Sequence, residues 1–317
     1  MIKRYQYTIF SYYLTRTLFF GGMFHLLIET CKNDTLFISF MGMLLGYFFL
    51  YLLYKNKFIH SFMIGMISVI ILFLCICSTI LLTNHFLLEH TPILIVITTI
   101  LLVGYYGSRK GYLTLFRSSE LFIVISIFIT IICYLGLLQS IQVSNIFPLF
   151  LSSISSIFKG IIIFSSTTLL PNILLIPFHD DYKFRDIGKG YILGCLSLIC
   201  ILFFILSIYG YSYSSYLNIP EYMVLKRIHF MNYIRNVENI LVMEWIVNIT
   251  LCILLCMFHI YQLLNTKKSI IVFIFIAFFC FYIYHYHYSY LLLIQTNIWI
   301  LFILLLIISL ITKKEKT

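Results

Sequence analysis

Long apolar runs, each about the length of a bilayer-crossing helix, fill the sequence from end to end and are divided by short polar loops. A helix needs roughly 20 apolar residues to cross the hydrocarbon core, and it satisfies its own backbone groups while doing so. Only 10% of the residues are charged and 62% are hydrophobic, too little polar surface for a water-facing shell. At about 30 residues per span and connection, the 317 residues hold ten spans and leave no room for a separate soluble domain.

The spans fall at 6–29, 34–54, 59–83, 92–107, 119–139, 149–177, 188–211, 237–261, 268–286 and 289–311. The run after Met1-Ile2-Lys3-Arg4 is too long for a signal peptide and lacks a small-residue cleavage site, so it is expected to be an uncleaved first span. With the N-terminus in the cytoplasm, fifteen Lys and Arg fall in inside segments and four in outside ones. That bias predicts both termini in the cytoplasm. The net charge of +10 then reads as membrane topology rather than as a nucleic-acid surface. Two connections are long: the cytoplasmic His179 to Lys189, and the outside segment 212–236. In the latter, Pro220 is expected to start a helix lying on the interface.

Ten spans divide evenly near residue 145 into a first repeat of about 6–140 and a second of about 149–311, within a single transmembrane domain 1–317. Five spans per half is an odd number, so homologous halves insert in opposite orientations, the inverted-repeat plan of many secondary transporters. Such folds break the first helix of each half and hold the substrate at the freed helix ends. The first span carries Thr17, Phe20, Gly21 and Gly22, and adjacent glycines weaken a helix. The sixth carries Ser165, Ser166, Thr167 and Thr168 just before Pro171, which lacks a backbone donor. These eight residues are the candidate ligand site. A close-packing Gly-Gly face and an ordinary proline kink are the plainer alternatives.

Charges inside spans are costly and face the interior or water. Arg16, Lys159, Glu120, Glu238 and Glu244 are therefore candidate coupling or structural charges, with an Arg–Glu or Lys–Glu pair expected in the bundle. Snorkelling to an interface is the alternative for Arg16, Lys159 and Glu120, and fits Glu244 least. His25 and His259 read as interhelical hydrogen-bonding residues. The run Tyr282 to Tyr290 has Tyr at every second position, with His285 and His287 between, and reads as an interfacial aromatic belt rather than a metal site. All nine cysteines except Cys31 lie in apolar runs without zinc-ligand spacing, as small packing residues do. No hydrolase, metalloprotease or nucleotide-loop motif is present, so neither an enzyme nor a cofactor or metal is expected.

Three stretches stand out: Gly107-Ser108-Arg109-Lys110-Gly111 through Arg117 and Glu120, Pro148 through Lys159-Gly160, and Asn236-Val237-Glu238 through Trp245. Together they resemble the B subunit of spore germinant receptors, the GerAB/ArcD/ProY type of the amino acid–polyamine–organocation permease superfamily. Span count and the long outer loop before the eighth span add to the likeness. The first span departs from it, with Arg16 and then Gly21-Gly22 where the family has a spaced glycine motif followed by proline. The resemblance implies an all-α, ten-helix, 5+5 inverted-repeat fold of the LeuT type with broken first and sixth helices. It also implies an amino acid or similar small nutrient as ligand near the bilayer midplane, and germinant-receptor A and C subunits as partners. The location implied is a multi-pass cell membrane protein, in the spore inner membrane of a sporulating bacterium. A proton- or sodium-coupled amino-acid transporter and a non-transporting scaffold subunit are the alternative functions.

Overall fold

The computed structural model describes residues 3–56, 61–87, 90–178, 182–228, 237–264, 266–286, 297 and 300. Among the described residues the chain is helical, without a strand. The α-helices are α1 (Arg4–Thr17), α2 (Met23–Cys31), α3 (Thr35–Asn56), α4 (Ser61–Leu82), α5 (Ile93–Arg109), α6 (Tyr112–Leu137), α7 (Ile154–Ile173), α8 (Phe184–Ser214), α9 (Pro220–Leu225), α10 (Val237–Leu263) and α11 (Thr266–Tyr286). The first expected span corresponds to α1 and α2 together. The second to ninth correspond to α3 through α8, α10 and α11. The tenth, and the end of the Tyr/His run, fall outside the described residues apart from positions 297 and 300.

Among the described residues, six helical stretches are long and apolar enough to cross a membrane: Met23–Lys55, Met63–Leu82, Tyr112–Ser140, Ile154–Ile173, Phe184–Ser214 and Asn239–Leu263. Ile93–Arg109 and Lys268–Ile283 are shorter apolar helices. The outward faces fit lipid. Along α6, Leu121, Val124, Ile125, Phe128, Ile131 and Leu135 are exposed, Leu121 at 74%. They recur at helical spacing and make one apolar stripe, of a size that a monomer in water rarely leaves uncovered. Polar side chains are instead turned inward. The hydroxyls of Ser39, Ser68 and Thr79 are buried and donate to carbonyls one turn back in their own helices. This is a multi-pass membrane protein.

At the centre, α1 packs against α8, α7, α10 and α6, while α3 lies along α7 and α4 along α10. The approach of α1 to α8 is close: a Cβ at Gly190 would overlap the Thr8 carbonyl. Asn172 ties α7 to α1. Its Nδ2 donates to Thr15 Oγ1 at 2.9 Å, and its Oδ1 accepts from Ser11 Oγ at 2.7 Å.

Two expectations are corrected here. The sixth span is not broken at its hydroxyl cluster: α7 runs unbroken through Ser165, Ser166, Thr167, Thr168 and Pro171. Pro171 lies two residues before the last residue of the helix, so its missing donor falls in the final turn. That turn tightens, with Leu174 N donating to Pro171 O and Leu175 N to Asn172 O. The helix starting at Pro220 is as expected, but α9 does not lie on an interface. Pro220, Glu221, Tyr222, Val224 and Leu225 are all buried, and α9 packs against α8, α10, α2 and α6.

Candidate functional site

The first span is interrupted as the Gly-Gly pair predicts. Helix α1 stops at Thr17, and Gly21 and Gly22 take φ of 106° and 114° before α2 begins at Met23. L-residues rarely adopt that backbone, so the two glycines permit the turn. A break of this kind leaves the last carbonyls of α1 and the first amides of α2 without helical partners. No side chain caps α2 at Gly22. One partner arrives from elsewhere: Gly21 N–H donates to Glu221 Oε1 of α9 at 3.4 Å.

Opposite the break stands α10, joined to α1 at three levels. Arg16 donates from Nη1 to Glu244 Oε1 at 3.0 Å and from Nη2 to Glu244 Oε2 at 3.3 Å. Thr17 Oγ1 lies 3.2 Å from Asn248 Oδ1. Phe20 stacks on Trp245 with centroids 4.7 Å apart and planes 12° apart. Glu244, Trp245 and Asn248 fall on one face because four residues make about one helical turn.

Of the Arg–Glu and Lys–Glu pairings open from the sequence, the structure makes Arg16–Glu244, and buries it. Arg16 is 1% exposed. Its guanidinium also donates to Tyr12 Oη at 2.7 Å and lies over the rings of Tyr12 and Phe20 at 5.0 and 5.3 Å. Glu244 accepts a further bond from Ser126 Oγ of α6. Taking either ion alone out of water costs several kcal/mol, so the bidentate geometry and extra donors are what make the pair tolerable.

Several buried polar atoms around the break remain unpartnered among the described residues: Arg16 Nε, Trp245 Nε1, Asn248 Nδ2 and Glu221 Oε2. Buried polar atoms in folded proteins are nearly always hydrogen-bonded, so these atoms have capacity for a further partner. Three are donors and one is an acceptor.

The other candidates are arranged differently. Ser165, Ser166, Thr167 and Thr168 are buried, but each donates back to a carbonyl of α7. Thr168 Oγ1 also meets Tyr191 Oη of α8 at 2.8 Å. The cluster therefore joins α7 to its neighbours and lacks free hydroxyl donors facing the break. Glu120 accepts from Gln6 Nε2 at 2.7 Å and from Tyr5 Oη, fixing the start of α1 to α6. Lys159 is exposed, as snorkelling requires. Glu238 sits in the first turn of α10, and its side chain lies outside the described residues. His259 is buried and meets the Leu174 carbonyl at 2.8 Å, the interhelical role expected of it. His25 faces Glu29 one turn on, at 3.7 Å.

Sequence reasoning overlooks Asn172, Glu221 and Asn248. Asn248 was within reach, four residues from Glu244 and so on the same face. Glu221, right after a helix-starting proline, has the ordinary look of an acidic first-turn residue.

No curated protein matches the chain. A family model described as spore germination protein (spore permease) matches residues 17–289, which include the break, α7, α9 and α10. With most of its length matched by that model, the chain belongs to the spore germination protein family.

Proposed function

We propose that the protein is the permease-like subunit of a germinant receptor, binding an amino acid or similar small nutrient at the Gly21–Gly22 break and passing the binding event on as a germination signal. The observation that carries this reading is the set of unpartnered buried polar atoms on α1, α9 and α10 around an interrupted helix. A ligand that satisfied them in one arrangement of the bundle and not in another would shift the population between the two. The ten-span, inverted-repeat arrangement, the midplane position of the site, cytoplasmic termini and the receptor A and C subunits belong to the same proposal. Glu244 is the candidate coupling charge that snorkelling fits least. It is already neutralised by Arg16, which favours a sensor over a transporter driven through that residue.

The test is thermal stabilisation of the purified, reconstituted protein across amino acids, sugars and nucleosides, since a ligand bound only by the folded state raises the melting temperature. At least one compound is expected to do so, and Asn248→Leu, which removes an unpartnered donor without touching the backbone, is expected to abolish the shift. If no compound binds while the fold is intact, the proposal fails and a scaffold role takes its place.

A further inference from the structure

Glu221 is 1% exposed, and its Oε2 has no hydrogen-bond partner. Among the described residues the ion pairs are Arg16–Glu244 and His25–Glu29, so neither supplies a cation to Glu221. The cations nearest in sequence are turned elsewhere. Lys226 lies over the Tyr222 ring at 5.0 Å, and Arg227 over the Tyr209 ring at 5.5 Å. When ionised, Glu221 therefore leaves the break one negative charge in excess, in surroundings where an unpaired charge is heavily penalised. The last carbonyls of α1 end at the same break and add acceptor character.

We propose that Glu221 receives the ammonium group of the ligand, so that the site takes primary ammonium compounds. This deepens, and rests on, the reading of the break as a nutrient site. Glu221 Oε1 already occupies the Gly21 amide, the donor a ligand carboxylate would otherwise take. A zwitterionic ligand is thereby oriented, with its ammonium at Glu221 Oε2 and its carboxylate at the free donors Trp245 Nε1 and Asn248 Nδ2. A bare metal ion fits less well. Hard cations need several oxygen ligands, and the described residues contain no group of three or more His, Cys, Asp or Glu able to hold one.

The experiment compares each stabilising amino acid with its deaminated acid and its decarboxylated amine, for example L-alanine, propionate and ethylamine, on wild type and Glu221→Gln. It is run at pH 8 in choline chloride and repeated in sodium chloride. The expected result is a melting shift with the amino acid, a smaller one with the amine and none with the acid. Glu221→Gln should weaken amino-acid binding at least tenfold while melting, without ligand, no lower than wild type at this pH. Glu221→Asp, which keeps the charge, should restore part of the affinity. If the acid binds as well as the amino acid, or Glu221→Gln binds unchanged, the Glu221 assignment is overturned and the nutrient site stands. A sodium-dependent shift without any amine, lost in Glu221→Gln, overturns it in favour of a metal cation. No shift with any probe on a folded protein overturns the nutrient site and this assignment together.

Discussion

Burial pushes the Glu221 carboxyl up from 4.5 to about 7, against the pull of the backbone amides of Glu221, Gly21 and Gly22. Below 4.5 both folded and unfolded chains hold that proton. Between 4.5 and 7 the unfolded chain has released it and the folded chain has not, so the folded state binds more protons and stability declines as pH rises. Over the whole window the loss is on the order of 3 kcal/mol. Melting temperature measured in detergent from pH 4.5 to 8 should therefore fall more steeply for wild type than for Glu221→Gln, which has no proton to lose. Parallel curves would mean that Glu221 is solvated or paired with a cation. That an Arg–Glu or Lys–Glu pair lies in the bundle was legible in the sequence, because charges within apolar spans are costly unless paired, but which of the five charges meet was not. Glu221 was not, since its loop position says nothing about whether α9 faces solvent or the bundle.

Among the helices, the break between α1 and α2 is the element most exposed to a point change. Gly21→Ala meets two penalties, a φ of 106° and a new Cβ 3.2 Å from Ser78 Cβ. Gly22→Ala meets only the strained φ, with no atom within 4 Å of its Cβ. Strain of this kind costs about 1–3 kcal/mol, so both variants should be less stable than wild type. Gly21→Ala should melt lower than Gly22→Ala; the reverse order would show that Ser78 yields freely. Two adjacent glycines gave this interruption away, because each weakens a helix. The same logic misread α7. Pro171 does deny the Thr167 carbonyl its donor, but α7 ends two residues later, so the loss falls beside the helix terminus and leaves the hydroxyl cluster before it helical. The four hydroxyls before it signalled an open backbone, yet buried Ser and Thr commonly donate to their own helix instead. The short α9 was located by Pro220 but assigned to the interface, since an apolar face looks the same whether it meets lipid or protein.

Across the whole molecule, the apolar runs and their charge-bearing loops told the membrane class and most helix positions, because hydrocarbon leaves few ways to satisfy a backbone. How the helices are arranged depends on which faces meet, and runs that are apolar all round carry little of that information. The cysteines offer a check on embedding. Eight are buried, and Cys200 alone is exposed, near the middle of the 31-residue α8. A membrane-impermeant maleimide should label none of the nine in intact bilayers and all of them in denaturing detergent. Labelling of Cys200 in the bilayer would place the middle of α8 in water and undo the assignment of that helix as a span.

The interrupted α1–α2 segment and the continuous α7 distribute stiffness unevenly between the two halves of the chain. An unbroken helix fastened to its neighbours through Asn172 and Thr168 acts as a strut. The glycine pair acts as a pivot, with the nine residues of α2 as a short lever arm and α9 resting on it through Glu221. Bending of this bundle therefore has a ready axis at Gly21–Gly22 and none along the hydroxyl cluster of α7.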